Sequence, residues 1–293
     1  MKTQSEKALS FAELHQRDHC FVAPNPWDAG SARLLEMMGF PALASTGAGL
    51  AFSLGLPDLK APDEVMWAHL SQLCAATEVP LSADLEDCGG GTPEDVQGHL
   101  LRAVQTGIAG ASIEDTTGLH DRPIRDMQEA ADRVRAAVEA VRSLPHPFML
   151  TARADNHFYG VQNLADTIAR LQAYQEAGAD VLFAPGLKTR DEVVAVMSSI
   201  DRPLNVLLGF ADSTLTLDDM HELGVRRVSV GGSFARTAYS ALIRAAQTIQ
   251  TTGRFEHAKG AIPGPLLNRL FGDGLSLAER QTMLAQRYLN KGE

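Results

Sequence analysis

Three acids fall within four positions in Leu81-Ser82-Ala83-Asp84-Leu85-Glu86-Asp87, at the end of an apolar run that begins at Pro80. Pro80 to Ala83 reads as a short buried strand, and in an extended chain Asp84 and Glu86 point to the same side. Gly89-Gly90-Gly91 follows, so the backbone turns sharply and leaves the acids uncovered. A second apolar run, Gly110 to Ile113, ends in Glu114-Asp115. Carboxylates at the ends of apolar strands are costly to bury unless they are paired or bound to a cation. Single acids in such places usually cap helices or pair with nearby arginines. With Asp84, Glu86 and Glu114 in consecutive βα units, the expectation shifts to one hard-cation site, because barrel enzymes keep their chemistry at strand ends. Mg²⁺ is the cation expected, with Mn²⁺ as a substitute. It takes oxygen ligands, keeps several waters and needs only a few protein carboxylates besides the substrate.

The elements that must position these acids alternate regularly. A short leading helix precedes a first strand, Cys20 to Pro24, and a helix from Ala29 to Met38 closed by Gly39. Ala42 to Thr46 is a second strand, followed by the small-residue turn Gly47-Ala48-Gly49. After the acidic strand, Thr92 and Pro93 open a helix that buries Val96, Leu100, Leu101 and Val104 at helical spacing. The polar loop Thr116 to Arg125 and another amphipathic helix lead to strand five, Phe148 to Ala152, which ends at Arg153-Ala154-Asp155-Asn156. Val181 to Ala184, Leu204 to Leu208 and Val228 to Val230 are strands six to eight. Near-continuous apolar strands suit a parallel sheet buried on both faces. The expected fold is an α/β (β/α)₈ TIM barrel, typically ~250 residues. A doubly wound sheet would want G-x-G-x-x-G at its first helix, and none is there.

The barrel domain is expected over residues 1–252, with 253–293 as a helical tail that is no independent domain. Pro263-Gly264-Pro265 and Phe271-Gly272-Asp273-Gly274 interrupt it, and Ser276 to Glu279 forms a capping box for a last helix. Leu266, Leu267, Leu270 and Phe271, with Leu277, Met283, Leu284, Tyr288 and Leu289, would make an unusually apolar patch in water. The tail is therefore expected to pack on another subunit, giving a homo-oligomer, a dimer or tetramer.

Composition narrows the partners. A net charge of -10 argues against nucleic acid, whose non-specific binding needs basic patches. No apolar run approaches the ~20 residues of a membrane span, and the polar opening MKTQSEKALSFAELHQRD lacks a signal core. Cys20, Cys74 and Cys88 show no C-x-x-C spacing, which suits a reducing, cytoplasmic compartment without structural zinc.

Several motifs in order carry a resemblance. Asn25-Pro26-Trp27-Asp28-Ala29 comes first, then Ser45-Thr46-Gly47-Ala48-Gly49-Leu50 and Leu54-Gly55-Leu56-Pro57-Asp58. Asp84-Leu85-Glu86-Asp87, Ile113-Glu114-Asp115 and Ala152-Arg153-Ala154-Asp155 follow. From about Phe21 to Ala246 the chain resembles the phosphoenolpyruvate mutase/isocitrate lyase superfamily. That resemblance implies a barrel binding Mg²⁺ and a small 2-oxo-carboxylate or its enolate. It implies that Asp84, Glu86 and Glu114 hold the metal, mostly through water. The backbone of Thr46, Gly47 and Ala48 would receive the substrate carboxylate, Arg153 would bind its oxyanion, and Asp58 would be an acid on a mobile loop. Related barrels exchange a C-terminal helix between paired subunits. Three departures stand out: Cys88 where glycine is common, Glu86 where aspartate is common, and no cysteine in the loop after strand four. The isocitrate and methylisocitrate lyases carry their acid on that loop, so this chain resembles a branch without it. The loop does not reproduce the mutase or phosphonopyruvate hydrolase pattern either.

Other residues are read both ways. Cys88 is a reactive thiol or a small filler at a turn. His120 is a gating-loop acid/base, since histidine titrates near neutrality, or a solvated side chain. His157 is equally open, and Trp27 is a wall of the substrate pocket or core. A Schiff-base mechanism needs a desolvated lysine, and none of Lys2, Lys7, Lys60, Lys188, Lys259 or Lys291 lies in an expected strand. The resulting expectation is a Mg²⁺-dependent lyase or mutase acting on a 2-oxo-carboxylate, or a phosphonate or phosphoenol analogue, through an enolate-like intermediate. The rival is a non-catalytic barrel that binds a 2-oxo acid as a sensor or scaffold.

Overall fold

The computed structural model describes residues 2–289. The barrel is entered from its closed end. Helix α1 (Gln4–Gln16), started by a Thr3–Glu6 capping box, packs Ala8, Phe11 and Leu14 against Phe21, Ala23, Ala42 and Ala109, at the N-terminal ends of the strands. Strand β1 (Phe21–Val22) leads to α2 (Ala29–Met37), and β2 (Leu43–Ala44) to α3 (Gly47–Ser53) and α4 (Asp63–Ala76). Then come β3 (Leu81–Asp84), α5 (Pro93–Val104), β4 (Gly110–Glu114), α6 (Met127–Arg142), β5 (Met149–Arg153) and α7 (Leu164–Glu176). β6 (Val181–Phe183), α8 (Arg190–Met197), β7 (Leu204–Leu207), α9 (Leu217–Glu222) and β8 (Arg227–Ser229) complete the alternation.

All paired strands run parallel, in the order β1-β8-β7-β6-β5-β4-β3-β2. The gap between β1 and β2 is closed by Ala44 N–H donating to the Pro24 carbonyl (3.1 Å). Asn25 fastens the same seam from above: its amide donates to Ser45 O (2.8 Å), and its carbonyl accepts from Val230 and Gly231 N–H (2.9 Å each). This is a (β/α)₈ TIM barrel, with its core between the strands and the apolar faces of the surrounding helices.

Four local expectations change, the first being Leu101, expected inside but 38% exposed on α5. Gly47-Ala48-Gly49 opens a helix instead of a turn, because the Thr46 hydroxyl accepts from Gly49 N–H and caps it. Strand eight starts at Arg227, one residue earlier than expected, in register with Phe21 and Asn205. The tail, expected on another subunit, covers α2 of its own chain. Leu266, Leu270 and Phe271 of α11 (Gly264–Phe271, which follows α10, Ser233–Thr252) and Met283 and Leu284 of α12 (Leu277–Leu284) pack on Leu34 and Met37. Arg33 reaches across to the Phe271 carbonyl (2.9 Å). Leu277 of α12 stays 40% exposed, and one element earlier α10 buries only Ala235, leaving Leu242 and Ile243 63% and 64% exposed. The side chains of Tyr288 and Leu289 and residues 290–293 lie outside the described residues.

Candidate active site

At the C-terminal ends of the strands lies a cavity of ≈ 140 Å³. Its lining includes five carboxyl groups, on Asp58, Asp84, Glu86, Glu114 and Asp155, and two guanidinium groups, on Arg153 and Arg227. Alternate residues of each strand point inward, Ser82 and Asp84, Ser112 and Glu114, Asn205 and Leu207, Arg227 and Ser229, as strand geometry requires.

The chain leaves the extended conformation after Asp84. Glu86 sits at φ 53° and Cys88 at φ 56°, in the left-handed region that side chains other than glycine and asparagine rarely adopt. Period two therefore does not bring Asp84 and Glu86 together; the left-handed turn folds Glu86 back under Gly47. A Cβ on Gly47 would collide with Glu86 Oε1 and lie 3.2 Å from its Cδ, so any larger residue would push the Glu86 carboxyl out of its place. The loop is held from outside by Arg133, whose buried guanidinium donates to the carbonyls of Asp87, Gly90 and Gly91. Burial and the charges of Asp84, Asp58 and Asp87 push the Glu86 carboxyl up to about 8.

Arg153 gathers the other acids. Its Nη1 lies 2.9 Å from Glu114 Oε2 and donates to Asp84 Oδ1 (3.2 Å), while Nη2 donates to both oxygens of Asp155 (3.2 and 3.0 Å). Its guanidinium stands over the Phe183 ring at 5.0 Å. Asp84 also accepts from Gly47 N–H (3.1 Å) and Ser112 (3.4 Å). Burial drives the Glu114 carboxyl well above its usual range, against the pull of Arg153. Asp115 has a different task. It accepts from Tyr174 (2.6 Å), Arg170 (3.0 Å) and the Asp155 N–H (2.8 Å), fixing the end of β5 from the outer side.

Asp84, Glu86 and Glu114 thus line one cavity, together with Thr46, Ala48, Asp58 and Arg153. Among the described residues no group of three or more His, Cys, Asp or Glu side chains is arranged to hold an ion directly, because Asp84 and Glu114 turn to Arg153. A hard cation that keeps most of its waters still fits the donor set. Five carboxyl groups face two cations, and the acids shifted upward are those a further positive charge would relieve. Gly47 N–H, expected to meet the substrate, already donates to Asp84. Asp58 lies at the rim, largely open, yet local burial and the charge of Asp84 push its carboxyl upward.

His120 lies outside this cavity, in an adjoining recess with Leu59, Leu119 and Tyr159. Its loop folds as a flap, with Thr117 N–H donating to Pro123 O and Arg125 N–H to Asp115 O (2.8 Å each). Trp27 does not line the cavity; its Cβ stands against Gly49. His157 is half-buried and also outside the lining. Cys88 is a buried filler whose thiol is pushed up to about 12 by burial. Phe158, Tyr159 and Arg227 belong to the lining without a signal read from sequence, as do Asn25 and Asp155, which stand in the motifs above but received no role there. Of these, Asp155 was the most accessible to prediction, two residues beyond Arg153 at a strand end.

A charged cavity at the C-terminal mouth of a parallel barrel defines an enzyme-type TIM barrel. The model of the phosphoenolpyruvate phosphomutase family matches residues 11–250, and the chain belongs to the phosphoenolpyruvate mutase/isocitrate lyase superfamily, whose members are named as lyases, mutases and decarboxylases. A crystal structure from Burkholderia cenocepacia J2315, named as a lyase/mutase, is 48% identical over 92% of this chain and 96% of that one, with a TM-score of 0.90. Oxaloacetate decarboxylase of Pseudomonas entomophila is 29% identical over 81% of each chain. Oxaloacetate acetylhydrolase in complex with the product oxalate is 27% identical over 98% of each chain, with a TM-score of 0.83.

Proposed function

We propose that this protein is a Mg²⁺-dependent enzyme acting on a small 2-oxo-carboxylate, or a phosphonate or phosphoenol analogue, through an enolate-like intermediate. The observation that carries this reading is the convergence of Asp84 and Glu114 on Arg153, beside Glu86, at the open end of the barrel. Asp84, Glu86 and Glu114 would hold the cation. When bound, it would polarise the substrate's 2-oxo group and stabilise negative charge developing on that oxygen. Arg153 offers a planar fork for the substrate's oxyanion, and Thr46 and Ala48, at the start of α3, would receive its carboxylate. Asp58, its carboxyl shifted toward the protonated form, is placed at the rim to give or take a proton. His120, on the flap, would act only after the flap closes.

Two of the relatives named above, the oxaloacetate decarboxylase and the oxaloacetate acetylhydrolase bound to oxalate, carry oxaloacetate or oxalate in their names, so 2-oxo acids of that size are the first substrates to try. Turnover of oxaloacetate, 2-methylisocitrate, phosphonopyruvate and phosphoenolpyruvate, with and without Mg²⁺ or Mn²⁺, tests the reading. No turnover of any, with oxalate still bound, would favour a sensor. The protein is also proposed to be a homo-oligomer, associating through α10 rather than the tail, since Leu242 and Ile243 of α10 are left uncovered.

A further inference from the structure

We infer that the floor of the cavity, one residue layer below Arg153, is a second anion subsite built around Arg227, and that it takes a second carboxylate of the substrate. This rests on the 2-oxo-acid reading above. Arg227 opens β8 and points into the barrel, 4% exposed. Its Nε donates to Asn205 Oδ1 (2.8 Å) and its Nη2 to Thr151 Oγ1 (3.0 Å); Nη1 has no partner among the described residues. Both acceptors are neutral. Burial lowers this guanidinium only to about 9, so it remains cationic at neutral pH. A buried charge without a counter-charge is strongly destabilising, and the nearby acids Asp84, Glu114 and Asp155 are already turned to Arg153.

The groups around Arg227 are set to donate. Asn205 Nδ2 donates to Ser229 Oγ (3.0 Å), so the Ser229 hydroxyl has its own proton to give. Thr151 accepts from Arg227, which leaves its hydroxyl proton in the same position. His15, on the closed side, supplies no negative charge. Its Nδ1 faces the Phe11 carbonyl at 2.8 Å and so carries the proton, and Nε2 is bare. Barrel interiors are normally filled by branched side chains. Here Ser82, Ser112 and Ser229 line the cavity between Arg227 and Arg153 instead. Thr151 and Arg153 are two residues apart on β5, ~6.6 Å at ~3.3 Å per residue. A four-carbon diacid can place one end at each level; oxalate, with its carboxylates adjacent, reaches only the upper one.

The test is calorimetric titration of the full chain with Mg²⁺, using oxalate, 3,3-difluorooxaloacetate and acetate as probes. Arg227→Gln is expected to weaken the four-carbon diacid at least tenfold and oxalate less than twofold, with Arg227→Lys restoring part of the loss. Ser229→Val, which fills the floor and leaves the arginine in place, should reproduce the selective loss, guarding against misfolding of the arginine variant. Equal weakening of oxalate and diacid by Arg227→Gln, with Ser229→Val neutral, would overturn the inference. Acetate binding with the same Arg227 dependence, and no advantage of diacid over oxalate, would make the floor a free-anion site and overturn the substrate role. Failure of the unaltered protein to bind either oxalate or the diacid overturns the functional reading, and this inference with it.

Discussion

Glu114 and Arg153 are direct partners in the β4–β5 ladder, and their side chains meet above it with Oε2 2.9 Å from Nη1. Asp84 approaches the same nitrogen from the next strand, at 3.2 Å, and Asp155 occupies the other edge of the guanidinium. Arg153 is therefore saturated by carboxylates before any ligand arrives. A cation that drew Asp84 and Glu114 toward itself would free Nη1 for a substrate oxyanion. Metal and substrate should bind cooperatively for that reason.

Arg153→Ala is expected to weaken oxalate binding in the presence of Mg²⁺. Losing a charge-assisted hydrogen bond costs ~1.5–3 kcal/mol, or roughly ten- to hundredfold in affinity. Calorimetry on wild type and variant, with circular dichroism to verify the fold, makes the comparison. Unchanged oxalate affinity would reduce Arg153 to a structural partner of the three acids.

Gly47→Ala should act on the metal rather than on the fold of the barrel. The added methyl collides with Glu86 Oε1, and Glu86 can yield only by leaving its place under α3. Mg²⁺ affinity, read by titration, is expected to fall at least tenfold. An alanine variant that binds Mg²⁺ as tightly as wild type would remove Glu86 from the proposed metal site.

Much of this was legible because strand ends are chemically unlike strands. Apolar runs that stop at Asp84, Glu114 and Arg153 can be read without coordinates, and the structure brings these three residues together. What was illegible depended on backbone geometry that composition does not encode. Gly47-Ala48-Gly49 suits a turn or a helix start equally, and only the Thr46 cap decides. Glu86 owes its position to a left-handed conformation that no residue type announced. Arg227 was missed through a one-residue error in register: with strand eight begun at Val228, the arginine falls in a polar loop and its inward direction is lost.

His15 gives a pH dependence of stability that can be worked out in sign. Burial, aided by the charge of Arg227, lowers its folded value from 6.5 to about 3. Between those values the unfolded chain binds a proton that the folded chain does not, so stability rises with pH there and is lost as pH falls below about 6.5. The slope contributed is at most ~1.4 kcal/mol per pH unit. Urea unfolding at pH 7, 6 and 5 should show a flatter profile for His15→Leu than for wild type. Parallel profiles would mean that His15 binds its proton equally readily in the folded and the unfolded chain.

Isocitrate and 2-methylisocitrate are expected to be poor substrates. The flap from Thr116 to Arg125 has no cysteine, and His120 stands in a recess beside the cavity rather than in it. Without an acid there, the departing carbanion has no proton donor on that side. Cleavage of either compound within the ordinary enzyme range of ~1–10³ s⁻¹ would show that another group supplies the proton.

The last prediction concerns association. α10 runs for 20 residues, yet of its side chains only Ala235 is buried, near the start of the helix. Beyond it Leu242 and Ile243 stand more than half exposed, followed by Phe255 at 68%. A helix with so little packing in its own chain gains little from propensity alone, since helices in proteins draw most of their stability from an apolar face against a partner. Leu266, Leu270, Phe271, Met283 and Leu284 of the tail do not cover it, because they pack with Leu34 and Met37 of α2. A second copy of the chain is the simplest cover for α10. Sedimentation of the full chain at micromolar concentration is expected to show a dimer or tetramer, and Leu242→Lys with Ile243→Lys should shift it toward monomer. Both side chains are exposed in the single chain, so the double variant should leave the barrel folded, and its circular dichroism will report that directly. A wild-type protein that sediments as a monomer would leave α10 without a partner and overturn the proposal.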